Sequence, residues 1–394
     1  MPWKEVSTME ERIRFVVLAE AGKHSMAELC RQFGISRTCG YKWLERKREL
    51  GLRGLRELSR RPCGNSRAID EKIEKLILRL KRQHSNWGAK KLSDLLVKVH
   101  GIKEPPCVNT VGNVLKRHGL TRPRRRKRAG VYERANKELT DAQWPNHVWA
   151  VDFKGWFLLG NRLRCDPLTV SDLHSRYLIC CKALNGQTQA LTRRAFKAVF
   201  KCYGLPEIIR VDNGTPFASM GAGRLSRLSV WWLTLGIEVE FTRPGHPQDN
   251  GSHERMHKTL KQEATQPPSV NQRSQQRRFE RWKKIFNEQR PHEHIGMNRP
   301  AQLYHPSERR YDQSDKTVGY PEGMEVKKVH PGGHIHFEGN IYFIGEAFVG
   351  LKVGLKLHDN AEPEVFFANV RLGKLIANSK DPFRPSAYMD PCAP

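Results

Sequence analysis

Three acidic side chains near the middle of the chain stand in contexts that suit metal-ion chemistry. Asp152 falls at the end of the strand-like run Val148-Trp149-Ala150-Val151-Asp152-Phe153, and Asp212 ends Ile208-Ile209-Arg210-Val211-Asp212, ahead of the turn Asn213-Gly214. Glu254 follows Pro247-Gln248-Asp249-Asn250-Gly251-Ser252-His253, where a loop is expected to run into a helix. Mg²⁺ prefers oxygen ligands and keeps several waters, so a phosphoryl-transfer site offers a few carboxylates and leaves positions open for phosphate and water. Two such ions roughly 3.5–4 Å apart can activate the attacking oxygen and steady the leaving oxygen of an in-line displacement. Carboxylates from two neighbouring strand ends, joined by one from a helix lying across them, could bracket that pair without any protein nucleophile.

Over roughly residues 140 to 305 the chain resembles the retroviral-integrase-type transposases, the DDE enzymes of bacterial insertion sequences. The likeness is carried by Asp212-Asn213-Gly214, by Pro247-Gln248-x-Asn250-Gly251-x-x-Glu254, and by Lys258 and Lys261 one and two turns later on the same helical face. It implies a ribonuclease-H-like core with Asp152 and Asp212 on adjacent strands and Glu254 on a helix. By the same resemblance these three hold two Mg²⁺ or Mn²⁺ ions, Lys258 and Lys261 grip terminal phosphates, and Gln248 and Asn250 line the approach. The implied activity is cleavage at the terminal inverted repeats of a mobile element and transfer of the freed 3′-hydroxyls into target DNA, by a homodimer or larger assembly. The 41 residues between Asp212 and Glu254 exceed the spacing usual in retroviral integrases, and the Gly-rich, basic segment Ser219-Met220-Gly221-Ala222-Gly223-Arg224 reads as a surplus loop. Loop insertions are cheap in free energy.

Rival readings exist for some of these residues. Asp172, in Thr169-Val170-Ser171-Asp172-Leu173-His174-Ser175-Arg176, reads as turn chemistry between strands, and Asp249 as a loop residue. His253-Glu254-Arg255-Met256-His257 matches the H-E-x-x-H signature of zinc metalloproteases, in which two His at i and i+4 share a helical face. No H-x-x-G-x-x-H continuation follows, although Glu280 is available as a third ligand, and the protease reading leaves Asp152, Asp212 and the positive charge unexplained. A different class of alternative is a sequence-specific DNA-binding regulator whose core has lost catalysis.

Charge is an independent indication of a polyanionic partner. The 394 residues carry 69 Lys and Arg against 41 Asp and Glu, a net +28. Residues 1–130 hold 32 basic and 13 acidic side chains, so +19 of that excess lies in the first third. This third has helix-turn-helix patterning. A helix from about Met9 to Ala21 brings Ile13, Val16 and Val17 together and ends at Gly22. Ser25-Met26-Ala27-Glu28 then reads as a capping box, Phe33-Gly34-Ile35 as the turn, and Ser36 as the cap of a second helix. Trp43 and Leu44 would pack inward there, leaving Arg37, Thr38, Tyr41 and Lys42 for a major groove.

A second helical unit is expected from Ile69, Ile73, Leu76, Ile77 and Leu80, a helix opened at Trp87-Gly88-Ala89, and a short helix capped by Asn109 that carries Asn113, Lys116 and Arg117 and closes at Gly119. Leu58 to Ser66 reads as a linker, and so does Arg122 to Arg128, where Arg124, Arg125 and Arg126 would stay extended until phosphates neutralise them.

The expected architecture is therefore multidomain: all-α helix-turn-helix modules at 1–56 and 67–120, a basic linker at 121–140, an α/β ribonuclease-H-like mixed sheet at 141–310, and a small β-barrel at 322–380. The core order is strands near 148–159, 162–170 and 176–184, a helix from Thr188 to Tyr203, a strand ending at Asp212, and the strand Ile237 to Phe241. Short strand-like runs separated by Gly, Asn and Pro turns from Gly323 to Ala377 suggest the barrel. No apolar stretch reaches 18 residues and the opening segment lacks signal-peptide order, so a cytoplasmic, nucleoid-associated protein is expected. Nine Cys with no C-x-x-C pair argue against a disulfide framework or structural zinc.

Overall fold

The computed structural model describes residues 7–57, 69–121, 139–243, 247–312, 318–358, 361–376 and 383–385. The chain divides into two compact units, Met1–Asp70 and Glu71–Pro394. In the first, α1 (Thr8–Glu20), α2 (Met26–Gln32) and α3 (Arg37–Leu50) form a helix-turn-helix closed by a 3₁₀ turn at Gly51–Leu55. The Ser25 hydroxyl accepts from the Glu28 amide (3.3 Å) and the Glu28 carboxylate from the Ser25 amide (3.0 Å), so α2 starts where two otherwise unpaired amides find acceptors. Phe15, Val16, Leu29, Cys30, Trp43 and Leu55 make the core. Val17, expected inside, is 56% exposed, and Phe15 takes its place because α1 packs against both α2 and α3, which turns the buried stripe by a fraction of a turn. Gly40 lets α3 approach closely: a Cβ there would lie 2.8 Å from Cys30 Sγ and 3.0 Å from Phe15.

The second unit opens with α4 (Glu71–Gln83), α5 (Ala89–Lys98) and α6 (Val108–Arg117), packed around Ile77, Leu92, Leu96, Val111 and Val114. Asn109 does not cap α6, which starts two residues earlier with Cys107 at the cap; the thiol lies 3.2 Å from Thr110 Oγ1. Gly119 closes the helix as expected, at φ +67°, its amide bonded to Lys116 O. These helices are tied to the rest of the unit by Arg299 on Asp94 (3.3 Å), Lys90 on Glu293 (3.1 Å) and Lys98 on the Met297 carbonyl (3.0 Å).

The central sheet has six strands: β1 (Val148–Phe153), β2 (Phe157–Leu158), β3 (Arg164–Asp172), β4 (Leu178–Leu184), β5 (Ile208–Val211) and β6 (Glu238–Phe241). Their order is β2-β3-β1-β5-β6, with β4 also paired to β3. β1–β3 and β3–β4 are antiparallel, whereas β1–β5 and β5–β6 are parallel, which makes the mixed sheet. Side chains alternate between its faces. Leu168, Val170 and Ile179 meet α7 (Gln189–Tyr203) and α8 (Arg227–Thr234) through Phe196, Phe200 and Trp232. Cys165, Leu178 and Cys181 meet α9 (Gly251–Ala264) and α10 (Gln272–Lys284) through Leu260, Phe279 and Trp282; α11 (Pro300–Leu303) follows.

The segment read as a surplus loop is partly structural. Ala222 and Gly223 are buried in a 3₁₀ turn, and Gly223 faces Leu372, a residue of the C-terminal sheet. That sheet is built from β7 (Met324–Lys328), β10 (Lys352–His358), β11 (Ala361–Phe367), β12 (Val370–Leu375) and β13 (Phe383–Pro385), in the order β13-β12-β11-β10-β7, while β8 (His334–Phe337) and β9 (Asn340–Phe343) form a separate hairpin. The expected barrel does not close among the described residues. One apolar cluster runs from Trp149 and Trp232 through Val353, Val365 and Leu372, so the sheet's apolar face is covered by the core rather than by its own curvature. No helix among the described residues is long and apolar enough to cross a membrane.

Candidate active site

Parallel pairing of β1 with β5 fixes the first two carboxylates side by side. Ala150 is opposite Arg210, and Asp152 and Asp212 lie two residues further along each chain, at the same end of the sheet. The third arrives on α9, which packs on β3 through two buried histidines. His253 Nδ1 is 2.7 Å from Ser171 Oγ, and the Nε2 atoms of His253 and His257 lie 2.8 and 2.6 Å from Thr169 Oγ1. Thr169 donates its one hydroxyl proton to the Asp152 carbonyl (2.9 Å), so both imidazoles donate Nε2–H to it. His257 Nδ1, left without a proton, is 3.5 Å from Asp152 Oδ2. Burial holds both rings neutral, His253 down at about 3 and His257 at about 2.

The H-E-x-x-H pattern is thus a packing device, which overturns the zinc reading. Its histidines point inward onto β3 with their Nε2 atoms occupied, while Glu254 lies on the exposed side of the helix. Thr169 and Ser171, spaced i and i+2 on a strand opposite His at i and i+4 on a helix, were missed by sequence reasoning; those matched periods were the available signal.

Electrostatics link the three carboxylates. Asp152 is pushed up to about 7, first by burial, then by repulsion from Asp212, with a smaller contribution from Glu254. Asp212 is moved up by burial of its carboxyl although the residue as a whole is exposed, and the Gly214 amide opposes the shift. Among the described residues no three His, Cys, Asp or Glu side chains already stand close enough to hold an ion. The donor set still fits a hard divalent cation: Asp152 is repelled by both Asp212 and Glu254, and the side chains of those two are exposed. Asn213 Oδ1 and Asn250 Oδ1, which flank the site in sequence, are buried without a hydrogen-bond partner among the described residues.

Asp172 and Asp249 are accounted for as structural. Asp172 accepts from the Asn146 and Ser175 amides (2.8 and 2.7 Å), and Asp249 pairs with Arg243 (2.9 and 2.5 Å). Lys258 and Lys261 are exposed on the Glu254 side of α9. Asn250 precedes α9 without capping it, and Gln248 lies in the 3₁₀ turn Pro247–Asn250, its side chain outside the described residues. In the first unit Arg37, Thr38, Tyr41 and Lys42 are all exposed on α3. Asn113 and Lys116 are exposed on α6, but Arg117 is engaged with both oxygens of Glu74 (3.0 Å each). Arg124, Arg125 and Arg126 lie outside the described residues.

Comparison with known proteins agrees with this layout. Integrase core domain models match residues 142–247 and 235–300, a helix-turn-helix domain model matches 11–62, and a homeodomain-like model matches 39–115. The insertion element IS476 uncharacterized 39.2 kDa protein of Xanthomonas euvesicatoria is 26% identical over 71% of this chain and 78% of its own length. The insertion element IS407 uncharacterized 31.7 kDa protein of Burkholderia multivorans is 29% identical over 47% of this chain and 64% of its own. The transposase for transposon Tn552 of Staphylococcus aureus is 24% identical over 61% of this chain and 53% of its own.

Proposed function

The chain belongs to the DDE transposases of bacterial insertion sequences, with an integrase-type core, and from that premise we propose that it binds the terminal inverted repeats of a mobile element, cuts there to free 3′-hydroxyls and joins them to target DNA. The observation that supports the chemistry is the parallel β1–β5 pairing that sets Asp152 and Asp212 at one end of the sheet, where Asp152 is held up by burial and by repulsion from Asp212 and Glu254. Such a set is costly unless a cation or protons neutralise it.

Asp152, Asp212 and Glu254 would hold divalent ions, Mg²⁺ or Mn²⁺, which when bound supply Lewis-acid activation of the attacking oxygen and charge stabilisation at the scissile phosphate. The sheet keeps the two aspartates in register, and the His253–Thr169–His257 contacts fix α9, hence Glu254, against them. Lys258 and Lys261, on the exposed side of the same helix, would take the phosphates that flank the cut. The exposed side chains of α3 would read the repeat in the major groove. By analogy with its family, the two ends would be joined by a homodimer or larger assembly.

The test is incubation of the full chain with labelled duplexes carrying the ends of its element and Mg²⁺. Wild type is expected to nick at the terminus, and Asp152→Asn to lose nicking by a factor of about 10³ or more while binding the same duplex. Specific binding without metal-dependent nicking by wild type would favour a regulator that has lost catalysis.

A further inference from the structure

A cavity of about 940 Å³ opens on the flank of α9 away from Glu254, walled by Arg255 and Thr259 of α9, by Arg176 after β3, by Lys91 of α5 and by Arg290 and His292. Its charges are unevenly matched. Arg210 and Arg290 on its wall are paired with Glu240 (2.5 Å) and Glu263 (3.1 Å). Most of the acids there are engaged as well, Asp172 by backbone amides, Asp249 by Arg243 and Glu293 by Lys90; Asp141, which meets Gln143 at 3.4 Å, remains, and it and Asp172 attract Arg176. The side chains of Arg176, Arg255 and Lys91 make no hydrogen bond or ion-pair contact among the described residues. Arg176 is also held at φ +64°, a conformation that costs a non-glycine residue about 1 kcal/mol, by the Asp172–Ser175 turn that precedes it. Three cations without a contact partner, one of them on a strained backbone, outnumber the one carboxylate left on the wall, Asp141, and the surplus of positive charge in this concavity suits an anion.

The geometry points to a second phosphate-binding site, which takes one or two backbone phosphodiesters of the DNA strand running between the α4–α6 helices and the catalytic sheet. Guanidinium groups match phosphate oxygens two at a time, and the lysine adds a point charge. The cavity bridges the α5 helix and the core, and those elements are already locked together by Asp94–Arg299 and Lys90–Glu293, so a strand held here keeps a fixed distance from the carboxylates. The crowding is visible in the ionisation of the wall. Lys91 is pushed down to about 8 by burial and by Arg290, Arg176 is lowered by burial and by Arg255, and His292 sits at about 3 through burial and its neighbours Lys91, Arg290 and Arg176. This site deepens the reading of the chain as a transposase and rests on its being a DNA-binding protein, but not on its cutting DNA.

The experiment measures binding of the full chain to a labelled 30-bp duplex (a length of about three helical turns) across a salt series, without divalent cation. The double variant Arg176→Gln/Arg255→Gln is compared with wild type and with Lys197→Gln/Lys201→Gln, two exposed lysines of α7 outside the cavity. The slope of log K against log salt is expected to fall by about 2 in the cavity variant, at about 0.9 per phosphate contact, and to change little in the α7 control. Thermal melts check the fold: removing two mutually repelling cations is expected to leave the melting temperature unchanged or higher. An unchanged slope in the cavity variant overturns the inference, as does an equal fall in the α7 control. A third arm titrates tripolyphosphate: loss of tripolyphosphate binding with the duplex slope intact would mean a free polyphosphate site, and would also overturn it. A reduced slope together with an Asp152→Asn protein that still nicks would sink the proposed chemistry and leave this site standing.

Discussion

Thr169 and the two histidines above it explain why a zinc-like pattern sits in this helix. One hydroxyl serves two buried imidazoles and the Asp152 backbone, so the α9–β3 contact is polar yet leaves few unpaired groups. A half-buried histidine elsewhere in the second unit, His292, makes an acid prediction. His292 meets the Phe286 ring edge-on and has its pKa depressed to about 3 from an ordinary 6.5, first by burial and then by Lys91, Arg290 and Arg176. Between those values the unfolded chain binds the extra proton, so stability is full above about pH 6.5 and is lost as pH falls toward 3. Wild type should lose up to about 1.4 kcal/mol per pH unit from this group alone. His292→Phe, which keeps the edge contact with Phe286 and cannot protonate, should show a smaller fall of melting temperature between pH 7 and pH 4. Parallel falls in the two proteins would mean that the ring is already solvated in the native state.

At the scale of elements, caps and close approaches decide where helices stop and how near they come. Gly40 is where α3 meets Cys30 and Phe15, and the absent side chain is what the contact requires. Gly40→Val should destabilise the helix-turn-helix by about 1–3 kcal/mol through overpacking. Hydrogen exchange should show it as faster exchange over residues 7–57, with the second unit unaffected; protection equal to wild type would mean that the contact gives way freely. Much at this scale was legible beforehand. The strands that end in Asp152 and Asp212, the Ser25–Glu28 box and the Gly119 stop each carry a local signal in type and spacing. What stayed hidden depends on partners far along the chain. Phe15 replaces Val17 because two helices share α1, and α8 is apolar nearly all round, so periodicity gives it no face. That the side chains of Arg176 and Arg255 have no contact partner among the described residues depends on the whole wall of the cavity, which no run of residues records.

Over the whole second unit, the catalytic sheet and the C-terminal strands share one apolar cluster. A strand pattern shows that such a face is apolar but not what covers it, so the expected closed barrel was a reasonable reading of turns and runs that the neighbouring core then made unnecessary. The same long-range folding underlies the proposed function, because Asp152, Asp212 and Glu254, far apart in sequence, can approach one another only once β1, β5 and α9 are assembled. Metal-directed cleavage of the polypeptide reads that assembly directly. With Fe²⁺ in place of Mg²⁺ and with ascorbate and peroxide added, hydroxyl radicals formed at the bound ion cut the nearby backbone. Three groups of cuts are expected, beside residues 152, 212 and 254, all suppressed by excess Mg²⁺ and all absent in Asp152→Asn. Cuts at one of these positions alone, or none that Mg²⁺ suppresses, would contradict the convergence of the three carboxylates on a common ion.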